Sequence, residues 1–392
     1  MNSLHVLFAG GGTGGHLAPG LAVAEEIRRR CPHAAILFVG TDKPLERTMV
    51  ERAGFPYAAI HQRPMNRSPL KLPVWGVSML RAVARSHRLT RGFEPDVVVG
   101  LGGYGCVGPT VAAALRGRPL VLLEQNVIPG RATRLLARWS QYVCCQFGET
   151  LPRLKGARAL WTGNPVRQGI GTPDVRHARE SFGLAVDRRT LLVMGGSQGA
   201  AALNDAMISA APELAPRASA FQVIHLTGQE KSTHLREVYE RHGIRASVFE
   251  FSDDMANIYA ASDLALSRAG ATSMAEMAIA GVPMVLVPYP FAAENHQEYN
   301  AATFADRGAA VLLRQNELTA YTLLSTLNKT LWDDERLGTL RRNVRALARP
   351  DAVRVVTDHV LAAAMLQQAG ALRHAPQHCD GTFKRTELAI QK

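Results

Sequence analysis

Two glycine-rich turns, Gly10-Gly-Gly-Thr-Gly-Gly-His16 and Gly195-Gly-Ser-Gln-Gly-Ala200, each follow a short apolar run and open a helix-like stretch. Residues without Cβ atoms let backbone N–H groups turn toward an anion at the positive end of a helix. The chain therefore carries a phosphate-friendly device twice, and handling of phosphorylated substrates in a cleft between two similar domains is the chemistry it suggests. His16 closes the first turn and faces whatever is held there, with an imidazole able to take a proton near neutral pH. A histidine that merely caps the loop is the competing reading, but residues at strand ends line ligand crevices in doubly wound folds. A second constellation, Ser267-Arg-Ala-Gly-Ala-Thr-Ser-Met-Ala-Glu276, runs from a strand end into a helix, where Glu276 can accept hydrogen bonds from a ribose diol. A third, Glu294-Asn-His-Gln297, follows Val287-Pro-Tyr-Pro290 and offers His296 and Gln297 as donors to sugar hydroxyls or phosphate.

Such groups converge only if strands deliver them to one edge. Apolar runs at Val6–Ala9, Ala35–Val39, Val97–Val99 and Leu120–Leu123 alternate with helical stretches such as 19–30 and 45–53. After Thr162-Gly-Asn-Pro-Val166 the pattern restarts at 191–194, 221–226, 247–249, 264–267 and 284–287. Strands alternating with helices imply an α/β chain with parallel, doubly wound sheets. At 392 residues two domains are expected, 1–163 and 164–350, with the boundary near Gly163–Pro165. Residues 370–392 show no periodicity and are expected to be disordered.

Composition narrows the class. Hydrophobic residues make up 47% and charged residues 20%, a folded rather than disordered balance. No apolar run reaches the roughly 18–20 residues of a membrane-spanning helix. The N-terminus enters the first strand directly, so no secretory leader is expected and a cytosolic setting is. Five scattered cysteines lack zinc-ligand spacing, and the adjacent Cys144 and Cys145 are expected to be buried and reduced. The formal net charge of +12 suits an anionic partner. Between His61 and Phe93 stand Arg63, Arg67, Lys71, Arg81, Arg85, Arg88 and Arg91 with no acidic residue, around the apolar run Pro73–Leu80. As a helix this segment places Trp75 and Met79 one turn apart beneath a cationic rim, which fits an anionic lipid surface or, alternatively, a core helix with a solvated flank. Nucleic acid is disfavoured, since no aromatic residues interleave with the arginines.

Gly10, Gly12 and Gly15 also satisfy the dinucleotide pattern G-x-G-x-x-G, so a nicotinamide or flavin oxidoreductase stays open at this point. That reading wants an acidic residue ending the second strand, whereas Asp42 arrives late, and it leaves the second glycine turn unexplained.

Taken in order, Gly11–His16, Pro19-Gly-Leu-Ala22, Leu101-Gly-Gly-Tyr104, Glu124-Gln-Asn126, Thr162–Arg167, Gly195–Gly199 and Glu294–Gln297 with Asn300-Ala301 resemble the MurG family. Its members are UDP-N-acetylglucosamine-dependent glycosyltransferases of bacterial peptidoglycan synthesis. The resemblance covers roughly residues 4 to 365 and implies a GT-B fold, two Rossmann-like domains across a cleft, with a C-terminal helix (351–369) returning to the first domain. It implies a donor pocket in which Ser197 holds the diphosphate, the backbone at Ser252 the uracil, Glu276 the ribose and Gln297 the sugar. The turn Ala271, Thr272, Ser273, Met274 and Ala275 belongs to that pocket, completed across the cleft by Thr13, Gly14, Gly15, Asn126 and Arg167. Lipid I, the undecaprenyl-diphosphate-linked muramyl pentapeptide, would enter over the first domain with its diphosphate near the first glycine turn. Tyr104, Trp75, Met79 and Arg81 would lie on that acceptor and membrane side.

The implied reaction is attack of the muramyl 4-hydroxyl on the anomeric carbon with inversion, His16 acting as base, to give β-1,4-linked lipid II. No Asp-x-Asp motif occurs, so no obligatory metal or other cofactor is expected. The implied location is peripheral, at the cytoplasmic face of the cell membrane, with its anionic surface and other cell-wall synthesis enzymes as partners. Departures from the family pattern are Leu123 in place of a histidine, Thr133 in place of an asparagine, and the stretch Gln62–Leu72.

Overall fold

The structure is a computed structural model that describes residues 3–12, 14–62, 72–196, 199–228 and 232–374, with side chains described except at 72–75 and 369–374. Thr13 and Ser197 lie outside the described residues, as do 375–392 and most of the stretch Gln62–Leu72.

The first sheet has seven strands: β1 His5–Ala9, β2 Ala35–Gly40, β3 Tyr57–Ala59, β4 Val97–Gly100, β5 Leu120–Glu124, β6 Tyr142–Cys145 and β7 Ala159–Trp161. Their order is β3-β2-β1-β4-β5-β6-β7, and every pair is parallel. Helices α1 Gly14–Arg30, α2 Pro44–Arg52, α3 Leu72–Phe93, α4 Val107–Leu115 and α5 Arg131–Leu136 connect them. The second sheet has six: β8 Arg189–Met194, β9 Phe221–Leu226, β10 Arg245–Phe249, β11 Leu264–Ser267, β12 Met284–Leu286 and β13 Ala310–Leu312, in the parallel order β10-β9-β8-β11-β12-β13. Around it lie α6 Val175–Ser181, α7 Ala201–Leu214, α8 Ser232–Arg241, α9 Met255–Ala261, α10 Ala271–Ala280, α11 His296–Ala305, α12 Ala320–Asn328 and α13 Asp334–Ala346.

The central strands are apolar without alternation because helices cover both faces of a parallel sheet. Val6, Leu7, Phe8 and Ala9 are all fully buried, and so are Leu191 and Leu192. Edge strands β3, β7 and β13 have only three residues each and carry too little apolar signal to be read from sequence.

The last helix, α14 Ala352–His374, extends five residues past the expected end at 369. It leaves the second unit and packs Val356, Val360, Ala363 and Ala364 into the first domain's core beside Val97, Val121 and Leu123. Arg30 bonds Asp358 at 2.5 Å, fixing α14 against α1. Leu123, where the family has histidine, is therefore an apolar core residue of this contact.

The chain passes between the sheets at Thr162-Gly-Asn-Pro-Val166 under tight constraint. Gly163 has φ +78°, and a Cβ there would collide with the Arg349 side chain and press on Ala352 at the root of α14. Gly163→Ala should lower unfolding free energy by about 2–4 kcal/mol through left-handed strain and overpacking. Urea denaturation measures it; a loss under about 0.5 kcal/mol, the usual range for an unconstrained surface position, contradicts the constraint.

Candidate active site

Parallel strands all end at the same edge, so each sheet presents its loops along one rim. Hydrogen bonds from buried side chains join the two rims. Thr272 Oγ1 donates to Gly15 O at 2.7 Å, and Gln146 Nε2 donates to Ala271 O at 2.9 Å. Asn300 Nδ2 donates to Asn126 Oδ1 at 3.1 Å, and its Oδ1 accepts from the Val127 amide at 3.0 Å. The expected cross-cleft residues Gly15 and Asn126 thus meet the second domain directly, with Gly14 beside Gly15 at the start of α1.

On the first rim His16 lies in the opening turn of α1, half-buried, its ring against the backbone at Gly102. Burial, with a smaller push from His296 across the cleft, lowers the imidazole to about 4. His296 donates through Nδ1 to Ala293 O at 2.8 Å. Two imidazoles from opposite domains therefore share one electrostatic environment.

The first glycine turn differs from its sequence reading. The Gly12 amide already donates to Glu46 Oε1 at 2.6 Å, and the same carboxylate accepts from the Thr41 amide at 2.7 Å. Glu46 is 1% exposed. Nothing in the sequence singled it out: it is one acidic residue in the first turn of α2, 34 positions from its partner. The other glycine turn has no such occupant among the described residues. Gly195 and Gly199 lack room for a Cβ, Gly199 being pressed against Thr227 and Gly228, and α7 begins without an acidic residue or a side-chain cap.

On the donor side Glu276 is 2% exposed, with Oε1 accepting from Arg167 Nε at 2.8 Å and Oε2 from the Tyr259 hydroxyl at 2.9 Å. Burial, and then Glu276, push the Tyr259 phenol far above its ordinary range, so it stays a donor. Asn164 Nδ2 donates to Thr272 Oγ1 at 3.1 Å. Ala271 and Met274 are buried in the core, while Ser273 and Ala275 are half-buried along the same helix. Gln297 Oε1 accepts from the Tyr289 amide at 2.9 Å, and Ser252 Oγ from the Asp254 amide at 3.1 Å. Asn164 and Asn300 lie in segments that carry the family resemblance but were given no role, and Tyr259 lies in no motif, since nothing local marks a side chain whose partner is remote.

Glu124, 4% exposed, organises the loop bearing Asn126 by accepting from the amides of Asn126 at 3.0 Å and Gly130 at 2.9 Å. Thr133, the departure from the family's asparagine, bonds the same carboxylate.

Helix α3 forms as expected, but its exposed apolar residues are Val77, 49% exposed, and Leu80, 72% exposed. Met79 is half-buried, its sulfur accepting from Gln62 Nε2 at 3.6 Å, because Ala82, Ser86 and Thr90 set the buried face and Met79 falls beside it. The Trp75 side chain lies outside the described residues. Arg81 is exposed, and Tyr104 is half-buried at the rim. Cys106, Cys144 and Cys145 are buried free thiols; burial pushes Cys144 up to about 12. Among the described residues no cluster of three His, Cys, Asp or Glu has the geometry to hold a metal.

Two family models match in tandem: the glycosyltransferase family 28 N-terminal domain over residues 6–144 and its C-terminal domain over 190–356. The chain belongs to glycosyltransferase family 28. A relative from Nitratidesulfovibrio vulgaris (strain Miyazaki F) is 42% identical over 366 residues, covering 90% of this chain and 95% of that protein. It is named UDP-N-acetylglucosamine–N-acetylmuramyl-(pentapeptide) pyrophosphoryl-undecaprenol N-acetylglucosamine transferase. A Thermodesulfovibrio yellowstonii protein of the same name is 36% identical, covering 89% and 96%. The crystal structure of Acinetobacter baumannii MurG superposes with TM-score 0.73 at 28% identity, covering 92% of this chain and 99% of that one. UDP-GlcNAc 2-epimerase from Neisseria meningitidis, at TM-score 0.64 and 12% identity over 92% and 100%, shares the fold alone. This family 28 chain is thus a glycosyltransferase with two Rossmann-like domains in the GT-B arrangement.

The Arg167–Glu276 pair gives the site a direct test. Removing the cation from a buried carboxylate costs about 3–5 kcal/mol in enclosed pairs. With the Arg167 side chain 37% exposed, water shares the load and Arg167→Met should cost about 2 kcal/mol. Adding Glu276→Gln should restore most of that stability in urea titrations, whereas additive losses would mean that the two groups do not act as a pair.

Proposed function

We propose that this family 28 enzyme transfers N-acetylglucosamine from UDP-N-acetylglucosamine to the 4-hydroxyl of the muramyl sugar of lipid I, making lipid II with inversion at the anomeric carbon. The observation that carries this reading is that the start of α1, which bears His16, meets the Thr272–Glu276 helix across a seam closed by the Thr272–Gly15 hydrogen bond. A candidate base on one domain thereby faces a candidate donor platform on the other.

The division of labour follows from charge. The second glycine turn and the start of α7 offer uncapped amides to the donor diphosphate, with Ser197 in that turn. Ser252, Glu276 and Gln297 supply acceptors and donors to the nucleoside and sugar, and Arg167 adds a cation near the departing UDP. With amides and a guanidinium meeting that charge, the reaction requires no cofactor. His16 takes the proton of the attacking hydroxyl. It is neutral in the free enzyme at working pH, so it is always available, though weakly basic. The anionic donor raises its proton affinity when bound, because a nearby negative charge favours the imidazolium.

The sign of that shift is testable. His16 loses its proton-accepting form as pH falls through its own pKa, so kcat/KM for UDP-N-acetylglucosamine should have its acid limb near pH 4, set by the free enzyme. The acid limb of kcat, set by the complex, should stand at higher pH. His16→Ala should lower kcat by about 100-fold to 10,000-fold while UDP affinity changes little. A near-normal rate with the short-chain lipid I substrate removes His16 from this role.

Among the described residues no helix is long and apolar enough to cross a membrane. Docking at the cytoplasmic face falls to α3, where Val77 and Leu80 stand exposed among Arg81, Arg85 and Arg88. Other cell-wall synthesis enzymes at that surface are the natural neighbours of the product. Replacing Val77 and Leu80 together by Ser should lower the partition constant onto anionic vesicles, read by sedimentation, by about 30-fold, as expected from two lost apolar insertions of roughly 1 kcal/mol each. Unchanged sedimentation would assign α3 a purely structural part.

A further inference from the structure

Beside the first glycine turn a groove of about 920 Å³ opens between the loops after β2 and β3 and the face of α3. Its charged lining is Lys43, His61, Arg81 and Arg85, with Asp42 as the one carboxylate. Asp42 lies 3.3 Å from the His61 ring. Three permanent cations against one carboxylate leave an excess of two positive charges, which matches the two negative charges of a diphosphate diester.

Resting on the transferase reading above, we propose that the acceptor's diphosphate is held in this groove by Lys43, Arg81 and Arg85, with His61 beside them, and not by the first glycine turn. Two independent observations carry the assignment. The Gly12 amide and the end of β2 are already claimed by the buried Glu46 carboxylate, so a second anion at that point meets an occupied donor and a like charge. The groove, by contrast, presents side-chain cations that are exposed, Arg81 and Arg85 among them. Lys43 links the two places: its Nζ donates to Gly12 O at 2.9 Å and stands over the Tyr104 ring at 5.9 Å.

The direction of the groove suits a lipid-linked sugar. Val77 lines the groove and belongs to the exposed apolar face of α3, where a polyprenyl chain would leave. Tyr104 also lines it, two residues after Gly102, on whose backbone the His16 ring rests. A muramyl ring carries its diphosphate at C1 and its reacting hydroxyl at C4, on opposite sides. Holding the first in the groove therefore points the second toward His16.

The groove's anion could equally be a carboxylate of the acceptor's peptide, and the experiment separates the two. Acceptor KM and kcat are measured for the full chain and for Arg81→Ala/Arg85→Ala with a soluble short-chain lipid I analogue, and again with an analogue whose peptide carboxylates are amidated. Acceptor affinity is read separately by calorimetry without donor. The expected result is an acceptor KM and Kd raised at least tenfold, the same ratio with the amidated analogue, and UDP-N-acetylglucosamine KM and thermal midpoint unchanged. Arg81→Lys/Arg85→Lys should recover most of the affinity. Acceptor affinity within twofold of the parent overturns the groove, and a ratio that vanishes with the amidated analogue reassigns it to the peptide. A parent chain that binds acceptor through these arginines yet transfers no sugar sinks the transferase reading and leaves the groove standing.

Discussion

Glu46 accepts hydrogen bonds from the Gly12 amide, the Thr41 amide and hydroxyl, and the Tyr57 hydroxyl, all while buried. A carboxylate in that position persists only if its lone pairs are filled, so the end of β2, the start of α2 and the first glycine turn must assemble together around it. The consequence is electrostatic as much as structural. Two turns that look interchangeable in sequence become unequal, because the first has a buried carboxylate on its amide and the second has none among the described residues. On the reading proposed above, that difference is what sorts donor and acceptor to different domains.

The seam between the domains has a firm part and a soft part. Thr272, Asn300 and Gln146 make their cross-domain bonds from buried positions, where an unmade bond would leave a desolvated polar group. The outer part is the loop Ala293–Asn295, with Glu294 at φ +53° and Asn295 at +54°. Non-glycine residues in that region cost about 1–3 kcal/mol each. Glu294 is tied to Arg131 at 3.0 Å and Arg134 at 2.7 Å, but such exposed ion pairs are worth about 0–1 kcal/mol. The strain is therefore not offset by the salt bridges alone, and the loop that carries His296 and Gln297 is the section of the seam most easily rearranged. Gln146 Oε1, buried without a partner, marks a second unsaturated point next to the Ala271 bond.

Much of the fold was legible because central strands of a parallel sheet are continuous apolar runs, and glycine turns are punctuated by residues that no other context requires. The two strand–helix repeats, β1 and β8 came from such local signals, whereas the helix returning from 352 came from the family resemblance. The three-residue edge strands did not, since a few residues on a sheet's margin bury little and carry no periodicity. The site divides the same way. His16, Glu276 and Gln297 sit in motifs, but while Gln297 bonds the nearby Tyr289 amide, Glu276 meets Arg167 from 109 positions away and His16 feels His296 from the other domain. Arg167 meeting Glu276 and His296 meeting His16 are tertiary facts with no local signature. On α3 the expected apolar surface is exposed at Val77 and Leu80, while Met79 is half-buried beside the face set by Ala82, Ser86 and Thr90.

Helix α3 also carries a cost that the chain does not repay internally. Its buried hydroxyls are satisfied within the helix, Ser86 Oγ donating to Ala82 O at 2.7 Å and Thr90 Oγ1 to Ser86 O at 2.7 Å, so no polar group must be shared with α4 across the contact. That leaves the opposite face free for Arg81, Arg85, Arg88 and Arg91, all exposed and spaced three or four residues apart. Like charges at that spacing destabilise a helix by roughly 0.2–0.5 kcal/mol per pair, and the sequence from His61 to Phe93 contains no acidic residue to relieve them. A surface helix selected for stability alone would interleave glutamates. The helix supplies no counter-charge of its own, and the docking and acceptor-binding roles proposed above would supply it: an anionic lipid surface contributes about 1 kcal/mol for each basic side chain held near it.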